Sequence, residues 1–347
     1  MKLSRFVQWL LGTCLAAAGL LIFFRSVDPH RLVLQLSHAS PWGIAACAGL
    51  AVMSIWLRAI RWKVMLPEPP LSHKKQLFPL VMIAFMINNI LPARMGEAAR
   101  AVLLWRRNKY SAAVSIGSLI LERGIDVLAL SACFFAPVFL MPGMGSGDRS
   151  SIYTAVTLHT AAILLAVLAA CGIGLIAAYS VFPRAVGTMF GRALTIVPES
   201  IRPKIERVGR DVASTLDWLF SWKKVVVVAA LSAGILACYA LSVLALIQEK
   251  NFGILQALFA QAFAALGAAI PLAPGYVGTL HAFMLEGLAL CGVGRDKAQA
   301  ITILYHAVPY ITITALGLYY FFKLNVTFKD ISEAEKKIEK EDQGAHE

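Results

Sequence analysis

Long apolar stretches follow one another from Phe6 to Phe322, separated by short basic or Gly/Pro-containing links. That pattern limits the fold more than any single motif. Of the 347 residues, 59% are hydrophobic and 15% charged, against about 25% charged in a soluble domain. Mean hydropathy is +0.70. The stretches lack the strict alternation of an outer-membrane barrel. Lipid leaves no backbone group unpaired at low cost, so the spanning elements must be helices. The expected fold class is an all-α polytopic membrane protein.

In chain order, an uncleaved first span is expected over Phe6 to Phe24, then a polar link from Asp28 to Ser40 and a second span from Pro41 to about Ile60. Arg58, Arg61 and Trp62 at its end read as an interfacial anchor. Gln76 to Leu91 is too short to cross comfortably, and Pro92 breaks it before Met95 to Arg107 resumes. Basic residues flank both ends of this pair, which reads as a re-entrant helical hairpin. Ser111 to Met141 spans, Pro142 to Ser151 is a loop, and Ile152 to about Val181 returns. The basic segment 182–224 contains an amphipathic helix at the membrane surface. Val225 to Ile247 spans, Leu255 to Leu272 and Val277 to Leu290 form a second broken pair around Pro274-Gly275, and Ala298 to Phe322 is the last span.

The expected layout is therefore a single membrane domain over 1–322, with about six spans and two oppositely entering hairpins, followed by a charged cytoplasmic tail over 323–347. Repeat one covers 41–141 and repeat two covers 225–322, related as an inverted-topology repeat. Eighteen Lys/Arg fall on the side assigned as cytoplasmic and six on the other, placing both termini in the cytoplasm. The net charge of +12 reflects that bias. No basic folded domain is visible, so no nucleic-acid partner is expected. The six cysteines all lie in apolar segments, without close pairs, and read as small core hydrophobes.

Charges inside these segments are the candidate site, because such groups are expensive in lipid. Arg94, Glu97 and Arg100 follow the first break at spacings of three. A helix start offers free N–H groups, and arginine adds a planar fork, which together suit a phosphate. The alternative is simple pairing of the arginines with Glu97. Glu122, Arg123 and Asp126 form a second cluster, with the two acids one turn apart. They either pair with Arg94 or Arg100 or bind a coupling proton, and pairing is favoured. Pro274, Gly275, Tyr276 and Gly278 form the second break, followed by His281, with His306 in the last span. Each histidine is either a hydrogen-bonded packing residue or a substrate or proton site. No zinc-protease, P-loop, CxxC or GxSxG motif is present, and no metal or cofactor is expected.

Arg58-x-x-Arg61-Trp62, Asn89-Ile90-Leu91-Pro92-Ala93-Arg94-Met95-Gly96-Glu97-x-x-Arg100, Leu121-Glu122-Arg123-x-x-Asp126 and Pro274-Gly275-Tyr276-Val277-Gly278, taken in that order, resemble the transmembrane (flippase) domain family of lysylphosphatidylglycerol synthases. The resemblance runs from about Phe6 to Phe322 and does not include the aminoacyl-transferase domain of the bifunctional members. It implies a standalone lipid translocase of the bacterial cytoplasmic (inner) membrane, not an enzyme, that moves a phospholipid or isoprenoid-linked lipid between leaflets, passively or with ions. Many members have a second glycine after the Pro-Gly and a glutamate nearby, where this chain has Tyr276 and His281. The expected partners are a membrane lipid with an anionic head group, and beyond it a second copy of the chain or envelope-biogenesis proteins. The alternatives are a membrane-embedded lipid-modifying transferase, a small-solute secondary transporter and a non-catalytic assembly partner.

Overall fold

A computed structural model describes residues 20–21, 28–67, 77–91, 94–108, 110–140, 202–269 and 274–327. Among these residues the regular structure is helical throughout. Most of the expected first span, the loop and returning span between 141 and 181, the first part of the basic segment and the end of the tail lie outside them.

Helix α1 (Pro29–Ser37) starts where Asp28 accepts the amides of His30 and Arg31 at 2.9 and 3.4 Å. Helix α2 (Pro41–Met65) starts at Ser40, whose side chain accepts Gly43 N–H at 3.3 Å, with Pro41 at the first helical position. It runs past its expected end, so Arg58, Arg61 and Trp62 lie within the helix. Both arginines and Trp62 are buried. The interfacial-anchor expectation is thereby corrected: the buried face of α2 includes these side chains, presenting the arginines to acidic partners and Trp62 to Ser118.

Helices α3 (Leu77–Ile90) and α4 (Met95–Asn108) are separated by the expected break, and α5 (Ala112–Leu140) follows. Gly96 permits close packing of α4 on α3: a Cβ there would overlap the Ala84 carbonyl. Its N–H is satisfied by the side chain of Asn88 at 2.8 Å. Helix α6 (Arg202–Ser214) is the amphipathic segment and leads into a short 3₁₀ turn, Asp217–Phe220. Helices α7 (Trp222–Ile247), α8 (Ile254–Ala269), α9 (Thr279–Leu290) and α10 (Arg295–Lys323) complete the described chain. A tight turn at Pro274–Tyr276 lies between α8 and α9.

Packing partners occur in matched sets. α2 lies along α7 as the most extensive contact. α3 packs on α4 as α8 packs on α9, α3 on α10 as α8 on α5, α4 on α5 as α9 on α10, and α2 on α3 as α7 on α8. One apolar core joins α2, α3 and α4 to α10, and a second joins α7, α8 and α9 to the start of α10.

Helices α2, α7 and α10 are each long and apolar enough to cross a membrane. Large apolar side chains such as Trp42, Leu241, Ile311 and Phe322 face outward on those helices. In water such a surface would associate, whereas in lipid it is the solvated face.

Candidate functional site

The eight helices α2–α5 and α7–α10 enclose a cavity of about 340 Å³. One side of it is charged and the other is aromatic and apolar.

The charged side is assembled from four segments. Asp126 on α5 accepts Arg58 Nη1 at 2.9 Å and Arg61 Nη2 at 2.6 Å. One turn earlier, Glu122 faces Arg100 Nη1 at 2.8 Å and Arg61 Nη2 at 3.3 Å. Arg123 lies 3.4 Å from Asp126 and 3.6 Å from Glu97, and Arg94 lies 3.7 Å from Glu97. The spacing of four between Glu122 and Asp126 puts both acids on one face of α5, and the spacing of three between Arg58 and Arg61 does the same on α2. Glu122 is fully buried and Arg100 is 2% exposed. The guanidinium of Arg100 lies 3.7 Å from the centre of the Trp62 ring, where aromatic π density takes the place of water.

The two helix breaks meet at the cavity. Arg94 has a left-handed backbone (φ 52°) and Tyr276 has another (φ 60°). Arg94 Nη2 donates to the Ala268 carbonyl at 2.8 Å, so the first break is tied to the end of α8. Asn89 donates to Thr314 Oγ1 at 2.9 Å and to the Tyr310 carbonyl at 3.3 Å, while Tyr310 Oη donates to the Asn89 carbonyl at 3.1 Å. Gly275 (φ 57°) sits against that same carbonyl and the Tyr310 ring, where a Cβ would come within 2.8 Å of each.

The aromatic side is formed by Phe85, Tyr239, Tyr305, His306 and Tyr310. Tyr239 Oη accepts from Arg58 at 3.3 Å and so links the two sides.

The sequence-derived site residues fall into three groups. Arg94, Glu97, Arg123, Asp126 and Tyr276 line the cavity. Arg100 and Glu122 are buried behind it and hold the ion network together. Gly275 and Gly278 shape the second break, the side chain of Pro274 lies outside the described side chains, and His281 touches His306 from behind the wall. Sequence reading missed the roles of Arg58, Arg61 and Tyr239. The signal for the arginines was present: they are interleaved with apolar residues that continue to Met65, and two intramembrane acids need cations. Tyr239 had no such signal. Among the described residues no group of three His, Cys, Asp or Glu side chains is placed to hold a metal.

Residues 9–317 match the family model described as "Lysylphosphatidylglycerol synthase TM region". A UPF0104 membrane protein of Methanothermobacter thermautotrophicus is 24% identical over 92% of this chain and 95% of its own length. A second UPF0104 membrane protein, from Methanocaldococcus jannaschii, is 21% identical over 68% of this chain and 93% of its own. The glycosyltransferase AglD of Haloferax volcanii is 25% identical over 94% of this chain, which spans 56% of the length of AglD. That relative corrects the expectation of a non-enzyme: a protein matched along nearly the whole chain bears the name of an enzyme, so the resemblance does not carry a non-enzymatic assignment. The apolar helices, the buried ionic cavity and the match over 9–317 together identify the chain as a multi-pass membrane protein of the lysylphosphatidylglycerol synthase transmembrane-region family.

Proposed function

We propose that the protein is a lipid translocase whose cavity receives an anionic, phosphate-bearing head group while the lipid chains stay in the bilayer. The observation that carries this reading is a charge imbalance. Arg58, Arg61, Arg94, Arg100 and Arg123 face Glu97, Glu122 and Asp126 in one network, an excess of two positive charges. In a low-dielectric interior such an excess calls for a counter-anion. The network also has donors to spare: Nε of Arg61 and of Arg94 are buried without hydrogen-bond partners. A phosphate accepts several such donors at once.

The membrane topology belongs to the same proposal. Helices α3 and α4 have 14 residues each, and α8 and α9 have 16 and 12. At about 1.5 Å per residue these reach roughly 18–24 Å, short of a core about 30 Å thick. Two oppositely entering re-entrant hairpins in an inverted repeat, within about six spans, fit those lengths. The matched packing sets support that arrangement. The basic loops support a cytoplasmic-membrane protein with both termini inside.

A second reading follows from AglD: transfer of a glycosyl group to or from a lipid carrier held in the same cavity. It shares the anionic amphiphile and differs in whether a bond changes.

The test is reconstitution of the purified chain into liposomes with labelled phospholipids and polyprenyl phosphates. Accelerated appearance of an unaltered lipid in the other leaflet is expected. Absence of leaflet exchange for every lipid sinks the translocase reading, and a product of altered mass on adding a sugar donor favours the second.

A further inference from the structure

The cavity wall contains a histidine pair that the ionic network does not use. His306 on α10 lines the cavity, and its Nδ1 lies 3.4 Å from Nε2 of His281 on α9. The rings meet edge to face, with centroids 4.8 Å apart. On its other side His281 accepts the N–H of Gly278 on Nδ1 at 3.3 Å. His281 therefore holds the second helix break directly, and His306 reaches that break through His281.

The tautomers follow from the donors. A backbone N–H can only donate, so Nδ1 of His281 has no hydrogen and Nε2 has one. Nε2 then donates to Nδ1 of His306, and the hydrogen of neutral His306 is on its own Nε2. Every bond in this chain is satisfied with both rings neutral.

An added proton breaks the chain wherever it settles. On His281 it puts a hydrogen on Nδ1, facing the N–H of Gly278. On His306 it puts a hydrogen on Nδ1, facing that of His281 Nε2. Moving the latter hydrogen to the far side of His281 only restores the clash at Gly278. One residue of the segment that must absorb the change is already strained: Tyr276 is left-handed, between Gly275 and Gly278, whose positive φ glycine adopts freely.

We propose that His281 and His306 form a single-proton site that, when loaded from the cavity, releases the second helix break and so links lipid movement to a proton gradient. This rests on the translocase reading for its consequence and on geometry alone for the site.

Among the described residues, the titratable and charged groups around the pair come from several helices. α10 adds Tyr305 and Tyr310, the latter with its ring centre 5.7 Å from that of His306. α7 adds Tyr239, the second break Tyr276, the first break Arg94, α4 Glu97 and α5 Arg123 and Asp126, all around the same cavity. α2 adds Arg58 and Arg61 on the cavity wall, with Cys47 buried in the same helix. α3 and α8 have no titratable side chain, and Glu286 on α9 pairs with Arg295 at the far end. The acids of this wall, Glu97 and Asp126, are paired with arginines.

The experiment has two arms. In the first, ¹⁵N-histidine NMR of the full chain in nanodiscs reads the tautomers. Both rings are expected as the Nε2–H form at neutral pH, and acidification is expected to load one proton on the pair, together with loss of amide protection at Gly278. Two independent titrations, or a Gly278 amide indifferent to the pair, overturn the site. In the second, lipid exchange is followed in liposomes under a one-unit pH gradient, which for one proton per lipid shifts the leaflet distribution by up to about tenfold. His281→Gln, behind the cavity wall, is expected to exchange lipid without responding to the gradient, and His306→Gln serves as the second variant, read for its gradient response alone. A gradient response retained in both variants overturns the coupling. If no lipid moves in the parent with or without a gradient, the translocase reading falls, while the NMR arm still decides the proton site.

Discussion

The guanidinium of Arg94 faces the ring of Tyr276 across the cavity, 5.9 Å from its centre, and both residues hold left-handed backbones. Each comes from a different helix break, and for a side chain other than glycine that conformation costs free energy. The two breaks therefore present strained residues to each other on the cavity wall.

Arg94→Gly tests the cation without disturbing the backbone, because glycine adopts a positive φ freely. It is expected to weaken head-group recognition by about 1.5–3 kcal/mol, the range for hydrogen bonds to charged groups, or roughly 10- to 100-fold. Loss of its bond to the Ala268 carbonyl should lower thermal stability, offset in part by relief of the left-handed backbone. Exchange of labelled phospholipid at limiting lipid reads the effect, and unchanged exchange would remove Arg94 from the site.

Glu122→Gln should act on folding more than on recognition. Glu122 is fully buried and meets Arg58, Arg61 and Arg100. Removing its charge leaves the arginines uncompensated, at about 3–5 kcal/mol. The double variant Glu122→Gln, Arg100→Leu should recover part of that loss, because it removes a charge of each sign. Thermal unfolding in detergent measures both, and full additivity would show that the two side chains are not coupled.

An anionic lipid should stabilise the protein and a neutral one should not. The excess of two positive charges in the network is what the anion offsets. A phosphate-bearing amphiphile present at 100 times its dissociation constant adds about 2.7 kcal/mol. Thermal-shift titrations with phosphatidate, a polyprenyl phosphate and a neutral glycolipid separate the cases. Equal shifts for all three would mean that the chains, and not the phosphate, are recognised.

Gly96→Val should prise the first hairpin apart. A Cβ at this position already overlaps the Ala84 carbonyl and lies 2.6 Å from Asn88 Oδ1, the acceptor of Gly96 N–H. Folded yield in the membrane fraction is expected to fall severely, by the mechanism of overpacking. A variant that folds and transports normally would show that α3 and α4 need not touch.

Much of the helical layout was legible because apolar length and breakers act locally. The boundaries at Leu77–Ile90, Met95–Asn108 and Thr279–Leu290 fall within a few residues of those expected from Pro92 and from Pro274-Gly275. Arg58 and Arg61 were misread for a physical reason. A basic residue near the end of an apolar run looks the same in sequence whether it snorkels outward or turns inward, and only the partner decides. Here the partners, Glu122 and Asp126, lie some sixty residues later. Tyr239 was invisible because nothing around it in α7 departs from an ordinary apolar helix.

That separation along the chain has a consequence for biosynthesis. Helix α2 leaves the ribosome with Arg58 and Arg61 well before the acids of α5 are made. The two arginines of α2 can therefore reach their paired state only after α5 has been made, so the buried face of α2 is completed by a helix synthesised some sixty residues later.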